Sequence, residues 1–163
     1  MTREPSSQRI DKSKASVFWR RAVQCQVAMN NALALGHWEA AGINAIHCAI
    51  SANDAVLAAG PGVKATGRDH RDAVRLLESR LKDEDAQSAA KRLDVIISKK
   101  SRVEYEQKRL SEKEARELVL DVDRFFSWAN TRMPLNVKLQ GFISFKPSGQ
   151  SLFATGSVSV NRC

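Results

Sequence analysis

The sequence predicts an all-α protein, built as an antiparallel up-and-down bundle of four to five helices. Long segments repeat apolar residues every three or four positions, which is the spacing of one buried face of an α-helix. Glycine, proline and capping residues separate these segments. The 163 residues, 43% of them hydrophobic, are enough for one domain with a core of its own.

Residues 1–13 are polar and rich in serine, and we expect them to be disordered. The first helix then runs to about Leu35, with Ser13 or Ser16 as its N-cap. Gly36 stands where a glycine in the left-handed conformation commonly ends a helix. The buried face of this helix is predicted to hold Phe18, Ala22, Cys25, Met29 and Ala32.

A second helix is predicted from about His37 to Ala59, and its mainly apolar composition makes it the central element. Four polar residues at i, i+3, i+7 and i+10 share one face, here called the polar stripe: Asn44, His47, Ser51 and Asp54. Unpaired polar groups are costly to bury. The stripe is therefore either a polar pocket, in which His47 moves a proton and Asp54 orients it, or a network satisfied within the bundle or at a dimer interface.

A loop from Gly60 to Gly67 leads into a third helix at about 67–82. Arg68 and Arg71 stand beside the backbone amides that a helix start directs at anions, which favours a phosphate contact. The alternative is a solvated charged turn with His70 at the edge of the core. The apolar side of this helix is predicted to hold His70, Ala73, Val74, Leu77 and Leu81.

A fourth helix is predicted over about 84–109, and its later half is basic with interspersed glutamates, as on a solvated face. Tyr105, the only tyrosine, either reaches the polar stripe with its hydroxyl or lies at a core edge. The predicted inward residues are Ala86, Ala89, Ala90, Leu93, Ile96 and Ile97.

Ser111 and Glu114 match a capping box, which marks the start of a fifth helix. Its apolar face is predicted to hold Ala115, Leu118, Val119, Val122, Phe125, Phe126 and Ala129. Pro134 ends it. In the extension over 133–163, apolar residues recur around Gly141 and precede a Pro147 turn, so we expect a short β-hairpin, disorder, or docking onto the bundle or a partner.

The net charge of +8 favours phosphate polymers or anionic surfaces as partners, although solubility alone also explains it. The three cysteines and three histidines show no metal-ligand spacing, so we expect no metal and no cofactor. We also expect reduced thiols, no signal peptide and no membrane span. Together these features indicate a cytoplasmic protein.

Residues 14–132 resemble the HEPN superfamily of small bacterial helical proteins. The similarity lies in the helical organisation, in the segment from His47 to Asp54, in the Gly/Pro loop and in the Gly67–His70 turn. Glu104–Tyr105 and the segment 125–129 are similar as well. The resemblance implies a bundle that often dimerises. Many members are metal-independent ribonucleases, others act beside nucleotidyltransferases in toxin–antitoxin pairs, and others bind RNA or nucleotides without catalysis.

The nuclease members carry an arginine, a polar residue and, several residues later, a histidine. No histidine of this chain follows an arginine at that spacing, although Lys64 precedes His70 with five residues between them. For a ribonuclease, His70 and His47 are the acid/base candidates. Asp54 and Ser51 are the orienting groups, and the residues expected to bind phosphate or nucleotide are Arg68, Arg71, Ser51, Asn44 and Tyr105. The alternatives are a non-catalytic interaction module, such as the helical partner of a nucleotidyltransferase, and a bundle that binds a small molecule.

Overall fold

The structure is a computed structural model that describes residues 5–67, 69–105 and 109–143. The all-α class is confirmed, because α-helices form nearly all of the regular structure in these ranges. A turn of 3-10 helix at Lys12–Lys14 precedes α1, and two short strands, β1 at Ser7–Arg9 and β2 at Val63–Ala65, pair with each other. The helices are α1 Ala15–Ala34, α2 Trp38–Ala59, α3 Arg71–Arg80, α4 Glu84–Ser98, α5 Lys100–Tyr105, α6 Glu112–Arg132 and α7 Leu135–Ile143.

Helices α1 and α2 form an antiparallel hairpin whose turn depends on Gly36. Gly36 has a φ of 73°, in the left-handed region that favours glycine. Its N–H donates to the carbonyl of Leu33 at 3.2 Å, and the N–H of His37 donates to the carbonyl of Ala32 at 2.9 Å. These are the two bonds of a Schellman motif, which satisfies the last carbonyls of α1. The predicted role of Gly36 is confirmed.

Helix α2 lies at the centre of the bundle and contacts α1, α3, α4, α5 and α6. Its surface is built largely of alanine, so the neighbouring helices can approach it closely. At Gly42 an added Cβ would lie 2.8 Å from a methyl of Leu110 and 3.1 Å from one of Val103, so these two side chains pack directly on the backbone of α2. The prediction that this helix is the central element is therefore confirmed.

The apolar faces predicted for α4 and α6 are buried at every named position. Helix α6 begins with the predicted capping box, in which the backbone N–H of Ser111 donates to Glu114 at 2.9 Å. It also stacks Phe126 on Trp19 of α1, with ring centroids 4.8 Å apart. In the ranges that the structure describes, no helix combines the length and the apolar composition that a membrane crossing requires.

Residues 7–13 form a strand and a turn of 3-10 helix, within the segment that was expected to be disordered over 1–13. β1 pairs with β2 in antiparallel register, with Gln8 opposite Lys64. The N–H of Ile10 extends the pairing by donating to the carbonyl of Gly62 at 2.9 Å. The polar composition of β1 did not reveal a strand, because its partner lies more than fifty residues further along the chain.

Two later segments also differ from the prediction. The helix expected over 84–109 ends at Ser98, and after a break at Lys99 the short helix α5 turns toward Gly42 of α2. Residues 135–143 form α7 and not the first strand of a hairpin. Pro134 precedes α7, where proline is well tolerated, and α7 packs along α1 with Val137 buried. The rest of the expected hairpin, residues 144–163, lies outside the described residues.

Candidate functional site

The polar stripe of α2 divides into an outer and an inner half. Asn44 is partly exposed and its side-chain amide donates to the carbonyl of Ala40 at 2.8 Å, while His47 is exposed. Ser51 and Asp54 are buried, with 4% and 7% of their surface exposed. Asn44 and His47 therefore face the surface of the bundle, and the buried polar chemistry is concentrated at Asp54.

Asp54 meets a lysine from the two-stranded sheet. The Nζ of Lys64 lies 3.3 Å from the Asp54 carboxylate, and the lysine side chain keeps about a third of its surface exposed (32%). The same ammonium lies 4.6 Å from the ring centroid of Phe18 on α1, a cation–π distance. Pairing of β2 with β1 fixes the backbone of Lys64. The lysine thus connects a buried carboxylate with the protein surface.

Burial raises the pKa of Asp54 above its ordinary value, because the ionised carboxylate is partly deprived of water. The positive charges of Lys64, Arg21 and His70 act in the opposite direction and favour the ionised form. We call these four residues the Asp54 cluster. They come from four parts of the chain: α1, α2, β2 and the turn before α3.

Of the histidines proposed from the sequence, His70 is the one whose charge acts on Asp54. His47 stands seven residues before Asp54 on α2, a rise of about 10 Å along the helix axis. His70 is exposed at the N-cap of α3. The prediction that it lies on the apolar side of that helix is therefore wrong.

The start of α3 differs from the anion site expected there. Asp69 accepts the backbone N–H of Arg71 at 2.9 Å. A Cβ added at Gly67 would lie 1.8 Å from a carboxylate oxygen of Asp72, which also pairs with Arg75 at 3.1 Å. Asp69 therefore takes one of the backbone donors that the prediction assigned to a phosphate. Arg71 is exposed, whereas Arg68 and the side chain of Tyr105 lie outside the described residues.

Sequence reasoning missed Asn53, which is fully buried beside Asp54. Its Nδ2 donates to the carbonyl of Ala73 on α3 at 3.5 Å, and its Oδ1 has no hydrogen-bond donor among the described residues. A buried amide oxygen without a hydrogen-bond donor costs stability. Asn53 is therefore a second buried polar group of α2, next to Asp54. The sequence did offer a signal for it, because this asparagine stands one position before Asp54 of the polar stripe, within a run of small apolar residues.

Among the residues that the structure describes, no group of three or more His, Cys, Asp or Glu side chains could hold a metal ion. Comparison with known proteins gives no significant match to a protein-family model, a curated protein or a solved structure. The resemblance to HEPN proteins therefore stays a prediction from the sequence.

Proposed function

We propose that the protein binds RNA or nucleotides through the Asp54 cluster and cleaves RNA without a metal, as a HEPN-like ribonuclease of toxin–antitoxin type with a non-standard active site. The observation that supports this most directly is the Lys64–Asp54 pair at 3.3 Å, with the charge of His70 acting on the same carboxylate. These two residues have the spacing of the family's arginine and histidine, with lysine in the place of arginine and Ala65 in the place of the polar residue.

The chemistry follows from the residue types. In metal-independent cleavage the 2′-hydroxyl attacks phosphorus, so one group removes a proton and another protonates the leaving oxygen. The exposed imidazole of His70 is the proton-transfer group, and Lys64 and Arg21 offset the charge that develops on the phosphate. Asp54 holds the Lys64 ammonium at 3.3 Å.

The proposal includes a homodimer, because a single cluster lacks the second proton-transfer group. Cleavage needs both a base and an acid, whereas the cluster contains one histidine. His70 of a second copy supplies the other group when two clusters face one cleft. The net charge of +8 attracts RNA to the protein as a whole. A ribonuclease of this type acts in the cytoplasm, and reduced thiols at Cys25 and Cys48 agree with that compartment.

The test is cleavage of single-stranded RNA by the purified protein in the presence of EDTA. We expect the wild type to cleave and His70→Ala to lose at least about a hundredfold in rate, the usual contribution of general acid–base catalysis. His37→Ala is the matched control, because His37 is also exposed and its side chain makes no cap hydrogen bond. Cleavage by His70→Ala at the wild-type rate contradicts the assignment, and His47→Ala decides whether the exposed histidine of α2 takes part.

A second candidate is a non-catalytic interaction module, such as the helical partner of a nucleotidyltransferase or of an antitoxin. The observation that favours it is an apolar face on α7, where Leu135 and Leu139 are 71% and 52% exposed. They stand four residues apart and so share one side of the helix. An interaction module predicts no cleavage by any variant and a stable complex with such a partner that is lost when both leucines become serine.

A further inference from the structure

A cleft of about 170 Å³ lies between α4 and α6, on helices that contribute nothing to the Asp54 cluster. Arg92 of α4 and Arg124 of α6 line it from opposite helices, and Asp85 and Ser88 of α4 complete its polar lining. Phe125 and Trp128 of α6 supply apolar surface. A cleft of this composition presents two guanidinium groups against a single carboxylate.

The two arginines are available to a ligand. Within the described ranges neither Arg92 nor Arg124 forms an ion pair, and Arg124 is exposed. The arginines that do pair with carboxylates are Arg75, Arg102, Arg116 and Arg132. A planar guanidinium presents parallel N–H groups that match two oxygens of a phosphate. Two such groups on facing helices therefore favour a phosphate as the occupant.

Trp128 adds a further donor and a rigid wall. Its ring contacts Phe125 at a centroid distance of 5.4 Å, and the guanidinium of Arg132 lies 5.5 Å from its centroid. Arg132 is in turn held by Asp83 at the start of α4, at 3.2 Å. The indole N–H of Trp128 is buried and has no acceptor among the described residues. An unmet donor of this kind favours an oxygen-bearing ligand or an ordered water.

We propose that this cleft is an anion site that takes the phosphate group of a nucleotide, free or within single-stranded RNA, between Arg92 and Arg124. The volume of about 170 Å³ is below the roughly 300 Å³ at which pockets for drug-sized ligands begin, so the cleft fits a phosphate group and not a whole nucleotide. The site is independent of the proposed ribonuclease chemistry, since the two share no residue.

Calorimetric titration of the full chain tests this site with inorganic phosphate, adenosine 5′-monophosphate, adenosine and a single-stranded oligoadenylate RNA. The site variant is Arg92→Gln/Arg124→Gln. The matched control is Lys91→Gln/Lys113→Gln, which removes the same two charges from exposed positions of the same helices outside the cleft. We expect the site variant to bind phosphate probes about tenfold more weakly or worse, and the control to bind them nearly as the wild type does.

The outcomes separate the sources of the phosphate. Binding of the monophosphate alone indicates a free nucleotide, and binding of the oligonucleotide alone indicates a nucleic-acid backbone. The proposal is overturned by equal losses in the two double variants, by adenosine binding as tightly as its monophosphate, or by no binding of any phosphate probe. Trp128→Phe keeps an aromatic ring of smaller size, removes the N–H and is expected to weaken binding. Arg92→Gln/Arg124→Gln should still cleave RNA in EDTA at the wild-type rate, since neither arginine belongs to the Asp54 cluster, so failure here is distinguishable from failure of the proposed ribonuclease.

Discussion

At Asp54, burial and charge have opposite effects on ionisation. The carboxylate has lost most of its water, which raises its pKa, and the Lys64 ammonium at 3.3 Å offsets part of that cost. Removing Lys64 therefore leaves a buried charge with weaker compensation from Arg21 and His70. A buried carboxylate that is only partly compensated costs stability, which makes Asp54 a candidate for a functional residue.

We expect Lys64→Met to lower the free energy of unfolding by about 1–3 kcal/mol at pH 7, the cost of a buried polar group without its partner. This expected loss of stability is smaller than the cost of breaking a fully buried ion pair, because the side chain of Lys64 is about a third exposed (32%). Since the pKa of Asp54 is raised in the fold, the folded protein binds this proton at a pH where the unfolded chain does not. Lowering the pH through that raised pKa should therefore diminish the destabilisation.

Urea denaturation of each variant between pH 4 and pH 7 measures this effect. Lys91→Met is the control, since Lys91 is an exposed lysine of α4 and should change stability little. Adding Asp54→Asn to Lys64→Met removes the uncompensated charge and should restore part of the loss at pH 7. A double variant no more stable than Lys64→Met would show that packing of Lys64 on Phe18, and not the carboxylate, is responsible.

Among the elements, the hairpin of α1 and α2 depends on one backbone conformation. Gly36 has a φ of 73°, which costs an L-residue with a Cβ roughly 1–2 kcal/mol. We expect Gly36→Ala to destabilise the protein by about that amount and to lower the melting temperature. Gly36→Asn should cost less, because asparagine tolerates the left-handed region. Thermal unfolding followed by circular dichroism ranks the stability of the wild type and the two variants. An alanine variant as stable as the wild type would contradict the role of the Gly36 conformation.

The elements predicted correctly are those whose signal is local and long. Helices α2 and α6 were recognised from their apolar periodicity, and Gly36 and Ser111 from their capping chemistry. The strand pair β1–β2 was missed because nothing near β1 indicates a partner at β2. At residues 135–143 the apolar residues around Gly141 left a strand, disorder or docking open, and the structure has a helix there that packs along α1 with Val137 buried.

The candidate site follows the same rule. Spacing along α2 placed Ser51 and Asp54 on one face, and both are buried. The partners of Asp54 come from other elements: Arg21 from α1 and Lys64 from β2. No spacing in the sequence connects these residues with Asp54, because their proximity arises from tertiary packing. For the same reason, the cleft between Arg92 and Arg124 could not be predicted from the sequence, because it arises from the packing of α4 on α6.

At the scale of the whole molecule, the surface of α7 is where we expect a second copy of the chain to bind. Its inner side buries Val137, while Leu135 and Leu139 remain exposed on its outer side. Exposed leucines of this kind gain roughly 1.5–3 kcal/mol each when fully buried. A second copy offers the same two leucines, and a two-fold axis would bring the two sets together. This surface is therefore our candidate for the dimer interface that the proposed cleavage chemistry needs.

We expect the purified protein to have the mass of two 18.1 kDa chains by light scattering, and Leu135→Ser/Leu139→Ser to be a folded monomer. Leu120→Ser is the control, because Leu120 is 51% exposed on α6 and is no part of this surface. If the dimer also unites two His70 residues, the monomeric variant should lose RNA cleavage although its Asp54 cluster is intact. A wild-type protein that stays monomeric up to millimolar concentration would exclude a dimer of useful affinity. A dimer that persists in the double serine variant would instead place the interface on another surface.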